Sequence, residues 1–326
     1  MRALVTGGNG FIGSFLVEKL VQNGVHVRCL VRTTSNLQWI ENLDVEFVYG
    51  ELRDPSSLVP AVRDTDIIYH VGGVTKGMNE EDFMQGNHLS TVNLLNASGK
   101  NGPKHQKFVL VSSQAAAGPS RDGKPLTEED PAQPVSMYGR AKARAEQAVL
   151  EYRNIKPVVV VRPPSVYGPR DKDFFLLFKN INRGIVPMVG DGKQKVSLVH
   201  VSDLADGIII AGESERADGQ IYFLSADGEF SWNQLAHKIA AALKKGTFTV
   251  QIPFWAVDAV SFLAVGWSKI TGQPTLLNHD KVLEMKQPAW LCSNEKAKSE
   301  LGFEPKIDLD DGFKQTGDWY QQHGWL

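Results

Sequence analysis

Val5-Thr6-Gly7-Gly8-Asn9-Gly10-Phe11-Ile12-Gly13 stands between an apolar run, Arg2 to Thr6, and an amphipathic segment, Phe11 to Asn23. Read from Gly8, the glycines follow G-x-G-x-x-G; read from Gly7, they follow G-x-x-G-x-x-G. A strand passing through such a turn into a helix lets backbone approach a pyrophosphate, because no side chain intervenes. The helix then offers free N–H groups and the positive end of its dipole to the anion. Gly7, Gly10, Phe11, Ile12 and Gly13 are therefore expected to contact a dinucleotide. A turn serving geometry alone is the competing reading, and the strand-to-helix context weighs against it.

Working outward, the first half alternates apolar runs with longer amphipathic segments. Strands are predicted at Arg2 to Thr6, Val25 to Val31, Val45 to Tyr49, Ile67 to Val71, Phe108 to Ser112 and Val158 to Arg162. Helices are predicted at Phe11 to Asn23, Leu58 to Val62, Asn87 to Ser98 and Tyr138 to Arg153. Such alternation implies parallel pairing. The run Val158-Val159-Val160-Val161 suits a strand buried on both faces. The fold class is thus α/β, a Rossmann-type doubly wound parallel sheet with a smaller, mainly helical C-terminal substrate domain. Residues 1–173 form the nucleotide part and 196–215, a strand and helix, return to it. Residues 174–195 and 216–326 form the substrate part.

A net charge of -2 over 326 residues provides no basic field for nucleic acid or anionic membrane. The two cysteines, Cys29 and Cys292, make no disulfide framework. With an N-terminus that opens on a strand rather than a charged leader, they point to the cytoplasm. The most apolar stretch, Pro253 to Ile270, is interrupted by Asp258 and Ser261 and is short for a membrane span, so a buried helix is expected there.

Tyr138-Gly139-Arg140-Ala141-Lys142 puts a phenol and an ammonium at i and i+4, on one helix face. An adjacent ammonium stabilises phenolate, so a lowered tyrosine pKa is expected. That would suit proton transfer near neutral pH. Ser112 and Ser113 end the fifth strand, where ligands of open α/β sheets bind, and Ser113 is the chosen catalytic hydroxyl. Neither serine sits in a G-x-S-x-G elbow, and the histidines lack metal-site spacing, so hydrolase and metal chemistry are disfavoured. The second strand ends Leu30-Val31-Arg32 with no acid to hold ribose hydroxyls. Arg32 is suited to the 2′-phosphate of NADP, which is favoured over NAD; Arg28 is the weaker candidate.

These motifs, in this order, resemble those of the extended short-chain dehydrogenases/reductases, the NAD-dependent epimerase/dehydratase group. The likeness continues through Gly50-Glu51-Leu52-Arg53-Asp54, His70-Val71-Gly72-Gly73, Asn87, Arg162-Pro163-Pro164-Ser165-Val166-Tyr167-Gly168-Pro169, His200-Val201-Ser202-Asp203-Leu204-Ala205 and Leu301-Gly302-Phe303-Glu304-Pro305. It implies that Glu51 and Leu52 border an adenine, that Gly72 and Gly73 lie against the cofactor, and that Pro163 approaches the nicotinamide with Tyr138 and Lys142. Thr75, Gln114 and Ser165 become substrate-side candidates, and His200 and Asp203 structural supports. The resemblance also implies a homodimer through the Asn87 and Tyr138 helices. Two departures bear on the reaction. Gln114-Ala115 replace the Asp-Glu pair of nucleotide-sugar dehydratases, and Ser165 stands where sugar-nucleotide enzymes often carry asparagine. Arg32 and the apolar C-terminal stretch look more like the dihydroflavonol-reductase and 3-beta-hydroxysteroid-dehydrogenase branches. The implied activity is carbonyl reduction or alcohol oxidation on a small molecule. A nucleotide-sugar epimerase and a non-catalytic cofactor sensor are the alternatives. Phe174, Phe175, Phe178 and Trp255 are read either as an apolar substrate wall or as core.

Overall fold

The computed structural model describes residues 1–271, 275 and 279–326. Its main sheet has seven parallel strands: β1 (Arg2–Thr6), β2 (His26–Val31), β3 (Val45–Tyr49), β4 (Ile67–His70), β5 (Lys107–Val111), β6 (Val158–Arg162) and β7 (Gln220–Phe223). Their order across the sheet is β7-β6-β5-β4-β1-β2-β3. Side chains alternate faces along each strand. Ala3, Val5, Val159 and Val161 enter one core with the helices Phe11–Gln22 and Val201–Glu213. Leu4, Ile68, Val158 and Val160 enter the other with Leu94, Leu95, Ala145 and Val149. Both faces are covered, which is why these strands carry unbroken β-branched runs. Because β2 and β3 lie on one side of β1 and β4 on the other, the strand order reverses there and a crevice opens at the carboxyl ends of β1 and β4.

Several expected boundaries shift. The strand expected at the start of 196–215 is two pieces, Lys195–Val196 and Leu198–His200, and the helix begins at Val201. The helix expected to start at Asn87 begins with one α turn at Glu80–Phe83, passes through a π-helical turn at Met84–Leu89, and becomes α at Ser90–Asn101. β7 pairs with β6, and Ala297 and Phe303 pack into the first core, so the chain returns to the main sheet well beyond residue 215. Phe248–Ile252 adds a strand parallel to Ile185–Val189 inside a region read as helical.

A separate apolar cluster gathers Phe174, Phe178, Ile181, Leu235, Ile239, Phe313 and Tyr320. Phe174 and Phe178 are core residues, and Phe175 packs edge-on against Tyr320 and Trp325. Trp255 is not with them: it is 73% exposed. The helix Phe254–Thr271 is likewise not buried as expected; Val257, Ser261 and Ser268 face inward while Phe262, Leu263, Trp267 and Ile270 face solvent. No helix among the described residues is long and apolar enough to cross a membrane.

Candidate functional site

The glycine turn leaves β1 with Gly7 at φ 71°, a left-handed conformation that favours glycine. A Cβ on Gly7 would lie 2.7 Å from the backbone of Gly72, and one on Gly13 would lie 2.1 Å from the Gly7 carbonyl oxygen. The turn therefore packs directly on the segment leaving β4. Gly10 caps the helix Phe11–Gln22 without a side chain, and the first turn carries no acid, so its free N–H groups suit an anion. Arg170 holds this helix from outside. Its guanidinium lies over Phe15 and Trp39, at 4.6 and 4.9 Å, and donates to Ser14 Oγ and Glu18 Oε1.

Arg32 is exposed at the end of β2, in a turn closed by the Ser35 N–H and Oγ; Asn9 of the glycine turn donates to the Asn36 carbonyl oxygen just beyond. Arg28 is buried and structural, donating to Glu46 and to the carbonyl oxygens of Pro60, Ala61 and Arg63. Glu51 is exposed, with its N–H donated to Ser57 Oγ. The Leu52 side chain comes within 3.1 Å of where a Gly72 Cβ would stand. A Cβ on Gly73 would meet Asn87 Oδ1 at 2.6 Å and Lys142 Nζ at 3.9 Å. Asn87, in the π-helical turn, holds both the N–H and the carbonyl oxygen of Val74. His70 is buried between Thr6 and Thr91 at 2.7 and 3.0 Å, tying β1 and β4 to the helix Ser90–Asn101.

Ser136 caps the helix Met137–Glu151 by accepting from the Gly139 N–H at 3.0 Å. That fixes the face bearing Tyr138 and Lys142. Ser113 Oγ accepts from the Ala115 N–H, capping the short helix Gln114–Ala117, and stands close enough to the Tyr138 phenol to favour its ionised form. Lys142 is buried and its ammonium donates to the Val111 carbonyl oxygen at 2.7 Å. Ser113, Tyr138, Lys142 and Gly73 thus meet at the carboxyl edge of β4 and β5. The phenol's pKa runs opposite to expectation. Burial pushes it up to about 12, and the charge of Glu284 adds to the rise, while the neighbouring Ser113 hydroxyl draws it down. Lys142 is turned toward Val111 and does not lower it. Burial brings Lys142 itself down to about 8, against the pull of Glu146.

Sequence reasoning missed three contributors. Glu146, one helical turn beyond Lys142, accepts from Ser112 Oγ at 2.5 Å and from Arg162 through two bonds at 3.0 and 2.7 Å, all buried. The i+4 spacing from Lys142 was the available signal. Asp280 accepts the Met137 N–H, and Glu284 acts on Tyr138 through its charge; both lie on the helix His279–Met285, and no local pattern links them to residue 138. Among the substrate-side candidates, Gln114 gives its N–H to the buried Pro163 carbonyl oxygen at 2.8 Å. Its side chain is buried, with Nε2 lacking a protein partner. Ser165 is half-buried in the strand Ser165–Tyr167, and Thr75 is exposed beyond Gly73. His200 caps its helix by accepting from the Ser202 N–H, and Asp203 accepts from the Ile307 N–H. Among the described residues, no cluster of three or more His, Cys, Asp or Glu side chains is placed to hold a metal.

A seven-stranded parallel sheet with a glycine turn at its crevice defines the nucleotide-fold class of oxidoreductases and epimerases. The chain belongs to the NAD dependent epimerase/dehydratase family, whose model matches residues 3–224. It is similar to the ceramide reductase of Caulobacter vibrioides, 30% identical over 99% of this chain and 95% of that protein. It is also similar to the UDP-glucose 4-epimerase of Vibrio cholerae, 26% identical over 98% of this chain and 95% of the epimerase. A solved dTDP-glucose 4,6-dehydratase from Bacillus anthracis, in complex with NAD, superposes with a TM-score of 0.80 at 25% identity, covering 100% of this chain and 98% of that one. The family and fold implied by the sequence motifs are therefore borne out.

Proposed function

We propose that this chain is a NAD(P)-dependent carbonyl reductase or alcohol dehydrogenase for a substrate of low polarity. The observation that carries the reading is the Ser113–Tyr138 hydroxyl pair beside Lys142, at the sheet edge next to the glycine turn. The turn fits a dinucleotide pyrophosphate, since Gly7 and Gly13 leave no room for a Cβ and the helix start is free of acid. Gly7, Gly10, Phe11, Ile12, Gly13, Leu52, Gly72 and Gly73 would hold the cofactor, with Glu51 at the adenine end, Pro163 toward the nicotinamide and Arg32 on a 2′-phosphate. When bound, a nicotinamide supplies or accepts the hydride.

The chain's own residues do the rest. Ser113 and Tyr138 hydrogen-bond the substrate oxygen and orient its carbon. Tyr138 donates its proton to that oxygen in reduction, and a phenol held up near 12 stays protonated at neutral pH, ready to give. Lys142, close to Gly73, would hydrogen-bond the nicotinamide ribose and hold the cofactor beside the phenol, and the Glu146 carboxylate, anchored by Ser112 and Arg162, favours its charged form. Gln114 Nε2 offers a buried donor to a polar group of the substrate, with Ser165 and Thr75 at its margin. The similarity to a ceramide reductase supports an apolar carbonyl substrate, and Gln114-Ala115 in place of an acid–base pair disfavours dehydration.

Tyr138→Phe is expected to lower turnover about a hundredfold or more with cofactor affinity nearly intact. A stopped assay of NADPH oxidation on a ketone panel, paired with cofactor titration, reads both; unchanged turnover overturns the proton-donor role. Epimerisation of a nucleotide sugar with no net NAD(P)H change would replace the reductase reading. Direct titration is expected to find NADPH bound more tightly than NADH, with Arg32→Ala removing roughly tenfold of that preference. Equal or stronger NADH binding by the unaltered protein would remove the role given to Arg32.

A further inference from the structure

We propose that the outer face of the helix Phe254–Thr271 docks on a phospholipid bilayer surface. Burial on this helix is the reverse of an ordinary surface helix. The inward side consists of Val257, Ser261 and Ser268, at 5%, 4% and 6% exposure. Outward stand Trp255, Phe262, Leu263, Trp267 and Ile270, at 73%, 80%, 71%, 68% and 79%, with Val260 at 54%. At 3.6 residues per turn these six, with Ala259 and Gly266, fall on one arc of roughly 160°. Among the described residues, no charged side chain lies on that arc. Asp258 sits at its flank and is paired with Lys286 at 2.8 Å, on the side where the protein body continues. A contiguous apolar face of this kind marks a binding surface, whereas singly scattered apolar side chains do not.

The occupant follows from shape and chemistry. The helix is about 27 Å long and about 10 Å wide, so the face offers on the order of 300 Å². A stable interface with a second copy needs about 800 Å² from each partner. A bilayer sets no such threshold, because in-plane binding scales with the apolar area inserted. Tryptophans near both ends, about 18 Å apart, suit the headgroup boundary, and the aliphatic centre suits the acyl region below it. The surface also adjoins the site. Lys286, which pairs with Asp258, directly follows the helix His279–Met285, whose Asp280 holds the Met137 N–H next to Tyr138. That this shortens the path of an apolar substrate rests on the reductase reading above; the binding itself does not.

The test is co-flotation of the full-length chain with phosphatidylcholine vesicles. The unaltered protein is expected to float with lipid. The combined variant Trp255→Ser, Phe262→Ser, Trp267→Ser is expected to partition about tenfold more weakly or less still. Leu263→Lys, a single exposed change in the middle of the arc, is expected to do the same if the combined variant folds poorly. Circular dichroism and the urea midpoint report that each variant is folded. Protein that stays in the aqueous layer at all lipid concentrations overturns the proposal, as does equal flotation of folded variants. A lipid-independent dimer that these substitutions dissociate, with no flotation, would make the face a contact between copies instead. Reductase activity is not a readout here, so failure of the catalytic reading would leave the flotation result standing.

Discussion

Gly13 has no room for a methyl group. Its Cβ would sit 2.1 Å from the Gly7 carbonyl oxygen, a backbone atom that moves only if β1 and the helix Phe11–Gln22 separate. Gly13→Ala is therefore expected to cost about 2 kcal/mol or more through overpacking and to abolish dinucleotide binding. A urea titration checks the first effect and fluorescence quenching with NADPH the second; a tight-binding, fully stable variant would contradict the close packing described. The same turn was legible in the sequence because glycine spacing encodes a local backbone path. The protonation of Tyr138 was not. The i, i+4 spacing correctly placed Lys142 on its face, but the direction of the ammonium depends on the Val111 carbonyl, which arrives from another strand.

At the scale of the element, the helix Met137–Glu151 carries the phenol, the ammonium and the carboxylate that anchors Arg162. Its first turn is satisfied by Ser136 Oγ, at 3.0 Å from the Gly139 nitrogen, and by Asp280 on Met137. Ser136→Ala is expected to cost about 1 kcal/mol, since one N–H loses its acceptor while Asp280 still covers another. The urea midpoint should fall accordingly, and no change would mean that Asp280 alone suffices. The helix itself was readable from the amphipathic period. The contribution of Asp280 was not, because it lies 143 residues away in sequence. The π-helical turn at Met84–Leu89 escaped for a related reason: Asn87 must face Val74, and only the folded chain shows the extra residue that turns it there.

At the scale of the whole molecule, His70 joins the two strands that flank the crevice to the helix over them. Burial and the nearby Lys142 charge hold its pKa down at about 3, against 6.5 for an ordinary imidazole. As pH falls below 6.5, the unfolded chain takes up a proton at this ring while the folded chain does not, so stability declines toward acid. Between pH 7 and pH 5 the loss from this group alone is about 2 kcal/mol. His70→Gln is expected to show a correspondingly shallower fall in unfolding free energy over that interval. Identical pH slopes would mean that the ring is not kept neutral. The main sheet was readable because each strand carries its own pattern; that β7 joins its edge was not, since a short apolar run late in the chain does not announce which sheet it joins.

Ala297 and Phe303 close the edge of the first core at β7 and the helix Val201–Glu213, more than two hundred and ninety residues after the first strand begins. During synthesis, then, that edge of the sheet waits uncapped for about seventy residues after β7 has been made. A nascent chain stalled short of Phe303 leaves Gly207 and Leu224 without their aromatic cover.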